Sequence, residues 1–177
     1  TLFPYTTLFR SLDPVTVAAH LERTGWGDPH KSQPSVLSVT QATEMGAVYS
    51  LADLGELAEV ARAHGLRRHL DGARFANAVV ALGAAPADLT WRAGVELLSL
   101  GATKNGTMTA DAIVTFDADV AAELRFRLKR AGHVASKGRY PAAQLDAYLT
   151  DDRWLDSAAR ANAAMARLVA GLAELGH

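Results

Sequence analysis

Apolar positions along the chain switch between two spacings, and the order of the switches outlines a fold. After Asp13-Pro14, a favourable N-cap and N1 pair, residues Val15, Ala18, Ala19 and Leu21 predict a helix. The stretch GWGDPHKSQP (25–34) reads as a loop from its Gly and Pro content. SVLSVT (35–40) then predicts a short buried strand. From Asp53 to His64 the positions Leu54, Leu57, Ala58, Val60 and Ala61 form one stripe of an amphipathic helix, with Gly65 placed to end it at C′. LRRHLD (66–71) predicts a second strand, GARFANAVVAL turns into another helix, and GVELLSL (94–100) predicts a third strand. Strands separated by helices imply parallel βαβ units.

The pattern then breaks. GATKNGTMTA (101–110) is a Gly-containing turn, and DAIVTF (111–116) returns to strand. Ten residues without a helix cannot carry a parallel crossover, so this fourth strand must run antiparallel to the third. Two helical segments follow, DADVAAELRFRLKRAG and YPAAQLDAYL. A long Ala-rich helix from about Arg153 to Leu175 comes last, with Leu155, Ala159, Asn162, Ala166, Val169 and Leu172 on one face.

Composition narrows the function classes. A chain of 177 residues with 49% hydrophobic and 21% charged residues suits one soluble domain with a substantial core. A net charge of −1 gives no electrostatic case for nucleic acid or an anionic membrane surface. No apolar run approaches the length of a bilayer span. With no Cys, neither a disulfide framework nor a zinc-finger spacing exists. A cytoplasmic enzyme, or part of one, is the expectation.

In a parallel sheet, ligands bind beyond the carboxyl ends of the strands. Two such ends carry chemistry here. HLDGAR places Asp71 and Arg74 at the crevice, and LGATKNG places Lys104 on the tight turn beside it. A carboxylate, a guanidinium and a lysine thus converge from neighbouring strands. On position alone, Asp71 could equally be a helix cap with Arg74 and Lys104 solvated.

A family resemblance separates these readings. HLDGARFANAV followed by LLSLGATKNGTMTADAIVTFD resembles the pyridoxal phosphate (PLP) core of the threonine aldolase / aromatic β-eliminating lyase family, in its low-specificity L-threonine aldolase branch. The resemblance runs from about Leu12 onward and includes SVTQATEMGAVYS and KRAGHVASKGRYPAAQLDAYL. It implies an α/β fold of the aspartate-aminotransferase type (fold type I), a mostly parallel sheet with one antiparallel strand. The hairpin argument reached that antiparallel strand independently. The resemblance also implies roles. Lys104 would hold PLP through a Schiff base, Asp71 would contact the pyridine nitrogen, and Arg74 would clamp the substrate carboxylate. Thr103 would bond the PLP phosphate or close the turn, the turn being preferred. The implied reaction is retro-aldol cleavage of a β-hydroxy-α-amino acid such as threonine to glycine and an aldehyde, by a homo-oligomeric parent protein. A β-eliminating lyase of the same family, and a fragment without function of its own, are the alternatives.

Other residues carry weaker expectations. His64 and His69 with Asp71 have no metal-ligand spacing, so no metal site is expected. Asp111 and Asp117 are expected to be solvated strand ends; Lys129, Arg130, Lys137 and Arg139 would either approach the PLP phosphate of a neighbouring subunit or form a solvated helix face, the face being preferred. Thr43 and Glu44 would either reach the pocket or form a turn.

Residues 1–11, TLFPYTTLFRS, read at face value as a strand, but their order also resembles the translation of a common sequencing adapter, and they are expected not to be native. Residues 12–150 would then be part of a PLP-binding large domain, and 151–177 a helix leading toward a small domain. The resemblance places the phosphate-binding loop, the ring-stacking His and a second carboxylate-binding Arg outside these residues. By this reading the chain alone is inactive.

Overall fold

The computed structural model describes residues 12–176; the strand and adapter readings of residues 1–11 lie outside them. Asp13 caps α1 (Pro14–Glu22), accepting from the Thr16 amide at 2.8 Å. The buried face of α1 is Val17 and Leu21, while Val15 is 75% exposed. Helix α2 (Leu51–Ala63) starts two residues earlier than its apolar stripe suggests. Ser50 and Asp53 cap each other's backbone reciprocally and so fix the first turn. Leu54, Leu57 and Ala61 are its buried stripe, and Gly65 follows at φ +68°, a conformation that costs glycine little.

Four strands form one sheet in the order β1 (Val36–Thr40), β2 (Arg67–Gly72), β3 (Leu97–Gly101), β4 (Asp111–Thr115). The first three are parallel and β4 runs antiparallel to β3, as the short connection requires. Strand β3 begins three residues later than expected. The preceding turn at Trp91–Ala93 ends in Gly94 at φ +79°, and the Val95 amide donates back to Thr90 O.

The two parallel crossovers carry α2 and α3 (Phe75–Leu82) and step in the same direction, so right-handed connections place both helices on one face. Leu37, Val39, Leu70, Leu98 and Leu100 are buried with them in one core. The opposite face is polar: the register puts Ser38 beside His69 and Thr40 beside Asp71, with Ser99 next to Asp71 on the far side.

Helices α4 (Ala118–Arg130), α5 (Arg139–Leu149) and α6 (Arg153–Glu174) follow. Asp117, expected to be a solvated end, instead caps α4 through the Val120 amide at 2.9 Å and pairs with Arg67. Helix α6 packs along α3. The face through Leu155, Ala159, Asn162, Ala166, Val169 and Leu172 is covered only near its start: Trp154 and Ala158, on the same side, are buried and Leu155 and Asn162 half-buried, whereas residues 163–176 are exposed. An aromatic cluster covers the start of the helix. Trp154 stacks on Phe75 with centroids 6.2 Å apart and meets Tyr148 at 6.3 Å. Asn162 and Asn77 exchange hydrogen bonds across the helix pair. No helix among the described residues is long and apolar enough to cross a membrane.

Candidate active site

The carboxyl ends of β2 and β3 are wedged together. A Cβ on Gly101, the last residue of β3, would lie 2.6 Å from the Cα of Ala73 and 3.0 Å from its carbonyl oxygen. Only glycine lets the Asp71–Arg74 loop and the turn bearing Lys104 approach this closely. The three residues singled out in the sequence therefore sit on two loops in contact.

Asp71 does not cap α3. The N-cap is Arg74, whose side chain makes no capping bond. Asp71 instead accepts from the Ala73 amide through Oδ1 at 3.0 Å, which shapes the loop and leaves Oδ2 without a hydrogen bond among the described residues. Arg74 is not solvated either. Its Nη1 donates to Glu44 Oε1 at 3.1 Å, and only 27% of its side chain is exposed.

Glu44 stands at the tip of a built loop. Buried Gln41 exchanges two hydrogen bonds with the backbone of Tyr49, at 2.9 and 3.0 Å. Thr43 accepts from the Ala47 amide through its hydroxyl, and its own amide donates to Ala47 O. Thr43 is thus the turn residue, and Glu44 the one that reaches Arg74. The Glu44 backbone amide, then Arg74 and Lys104, hold its carboxyl below the usual range.

Lys104 is exposed on a single 3₁₀ turn, Thr103–Asn105, and its Nζ makes no hydrogen bond or ion pair among the described residues. Gly106 ends that turn at φ +126°. Asn105 ties it to the helical layer, donating to Tyr148 Oη and Trp154 O, both at 2.8 Å. Thr103 spends its hydroxyl on Asp111 at 3.2 Å, which favours turn closure over a phosphate contact.

Asp111 departs from expectation. Although exposed, it is not simply solvated: Oδ1 accepts from the Ala102 amide at 2.8 Å and the Thr103 amide at 3.2 Å as well as from that hydroxyl. Burial opposes its charge, but the two amides, the hydroxyl and Lys104 outweigh it and lower its pKa. Sequence spacing could not show this, because the contact spans the turn from β4 back to β3.

The histidines have other partners. His64 bonds Val60 O through Nδ1 and stacks on Trp26. His69 bridges Ser38 and Ser99, at 2.7 and 3.0 Å, on the polar face of the sheet. Among the described residues no group of three His, Asp or Glu is arranged to hold a metal ion. Lys129, Arg130, Lys137 and Arg139 are exposed.

Comparison with known proteins gives this geometry a lineage. Residues 10–177 match the beta-eliminating lyase family. The chain belongs to that family. It is 46% identical over 145 residues to a low specificity L-threonine aldolase of Pseudomonas aeruginosa, covering 82% of this chain and 42% of the relative. A second protein so named, from a Pseudomonas species, is 44% identical over 135 residues, covering 76% of this chain and 39% of its own. The solved structure of a Leishmania major threonine aldolase superposes with a TM-score of 0.86 at 26% identity, over 94% of this chain and 48% of that one. The chain thus spans about two fifths of the Pseudomonas relatives. The mixed sheet with its single antiparallel pair is the fold type I arrangement expected from the sequence.

Proposed function

We propose that this beta-eliminating lyase family chain carries the lysine half of a PLP site whose parent protein cleaves threonine or allo-threonine to glycine and acetaldehyde. The observation that carries the reading is the convergence of three complementary groups on two loops held in contact at Gly101 and Ala73. The donor set suits PLP. Lys104 offers an amine with no competing partner for the cofactor's aldehyde, and Asp71 keeps Oδ2 open for the ring nitrogen. Arg74 offers a guanidinium whose Nη1 edge is held by Glu44, leaving its remaining donors for a substrate carboxylate. When bound, PLP supplies an electron sink for the pair released as a bond to the substrate Cα breaks.

Each residue then has a task of its own. Lys104 would hold the cofactor, and its amine beside the bound substrate would be able to move a proton. Asp71 keeps the pyridine nitrogen protonated, since a neighbouring negative charge favours the charged form. Arg74 orients the amino acid by its carboxylate, which fixes which Cα bond faces the ring. Thr103 closes the turn.

The substrate is a small amino acid, the parent protein a cytoplasmic homo-oligomer, and residues 151–177 lead toward a further domain. Product analysis with threonine tests the reaction: glycine and acetaldehyde support aldol cleavage. With a β-substituted amino acid such as serine, pyruvate in place of glycine would instead indicate elimination, the activity after which the family is named.

A further inference from the structure

The residue chemistry above leaves one group without a task. Asp111 lies at the start of β4, paired with Gly101, and the described hydrogen bonds of its side chain all come from the two residues before Lys104. One oxygen gathers three donors there: two consecutive amides and a hydroxyl. The first of these amides belongs to Ala102, which is fully buried, so the carboxylate stands where water would otherwise have to reach it. A single turn of 3₁₀ helix has almost no stability of its own. Something must hold its first residues, and its side chains cannot, since none of them makes a cap bond at the start of this turn.

We propose that Asp111 is a positioning residue for Lys104: it fixes the backbone at Ala102 and Thr103, and thereby the point from which the lysine side chain reaches the cofactor. The inference rests on the reading of Lys104 as the PLP lysine. Two further features support it. The turn is anchored from both ends, by Asp111 before Lys104 and by Asn105 after it, while Lys104 between them is left free. Asp111 also belongs to the strand hydrogen-bonded to β3, so the anchor is tied to the rigid sheet rather than to a loop. The charged groups facing Lys104 are then Asp111 from β4 and Glu44 from the 41–49 loop, with Arg74 beside Glu44.

The test compares Asp111→Ala with Asp111→Asn, which retains an acceptor oxygen of the same reach. Two readouts are followed. The first is amide hydrogen exchange at Ala102 and Thr103, which needs no cofactor. The second is the share of label on Lys104, relative to Lys31, Lys129 and Lys137, after PLP and borohydride. We expect Asp111→Ala to exchange both amides about tenfold faster or more, the scale of losing hydrogen bonds to a charged group. Its Lys104 share should fall by a similar factor, with the other lysines unchanged, and Asp111→Asn should recover much of both. Wild-type protection in Asp111→Ala overturns the proposal. So does lost protection with unchanged Lys104 labelling, because the anchor would then not act on the lysine. If Asp111→Ala fails to fold, Asp111→Asn decides by the same two readouts, with unchanged exchange and labelling in Asp111→Glu, which displaces the carboxylate, as the contrary result. Should the unaltered protein label all four lysines alike, the cofactor reading fails instead, and amide exchange alone decides whether Asp111 holds the turn.

Discussion

Gly101→Ala should damage stability and site together. The added Cβ would meet the Cα of Ala73 at 2.6 Å, its carbonyl oxygen at 3.0 Å and its carbonyl carbon at 3.1 Å. All three are backbone atoms, so no side chain can swing aside. To reach ordinary contact at 3.4 Å the two strand ends must part by about 0.8 Å. Overpacking a rigid site costs about 1–3 kcal/mol, and a backbone clash belongs at the upper end. In a protein of this size about 3 kcal/mol lowers Tm by roughly 6–12 °C. The same displacement moves the Asp71–Arg74 loop away from the Lys104 turn, and misplacement near 1 Å can cost about 10²-fold in rate. Gly55→Ala is the control. It lies inside α2 with nothing within 4 Å of its added Cβ, and should stabilise by about 0.5–1 kcal/mol. The assay is thermal unfolding of both variants beside threonine cleavage by the PLP-loaded parent protein carrying the same substitutions. A Gly101→Ala protein with wild-type Tm and wild-type turnover would refute the claim that the loops meet at this residue.

Two further outcomes follow from individual groups. Asp71→Asn keeps an acceptor for the Ala73 amide but not the charge, so in the parent protein it should bind PLP yet lose turnover by roughly 10²-fold; near-normal turnover would reduce Asp71 to a loop-shaping role. Burial holds the His69 imidazole below its ordinary pKa, with Asp71 pulling the other way. The unfolded chain therefore takes a proton that the folded protein resists, and stability present above about pH 6.5 is lost as the pH falls through that value. Urea unfolding at a series of pH values should show this limb flattened in His69→Gln, and an unchanged limb would mean that other groups produce it.

The expectations that succeeded rest on local chemistry. Asp13-Pro14 marked α1, Gly65 marked the end of α2, and the ten-residue gap before β4 dictated its direction. HLDGAR and GATKNG fall on neighbouring loops because a strand end must place its next residues at the crevice. What escaped the sequence depends on contacts between distant segments. Trp154 is buried and Val169 exposed on the same side of α6 because Phe75 and Tyr148 meet the helix only at its start, and periodicity alone cannot say how far along a helix its partners reach. Asp111 looked like any strand-end carboxylate until the hairpin folded it onto Ala102. Glu44 owes its place beside Arg74 to a loop knotted by Gln41 and Tyr49, eight residues apart, whose pairing no propensity encodes.

The central claim is that Lys104 holds PLP, and covalent trapping tests it most directly. Borohydride reduction of the PLP-loaded protein, followed by proteolysis and mass mapping, should place the reduced pyridoxyl group on the peptide containing Lys104. It should be absent from that peptide in Lys104→Ala. A pyridoxyl group on Lys31, Lys129 or Lys137 in its place would contradict the account.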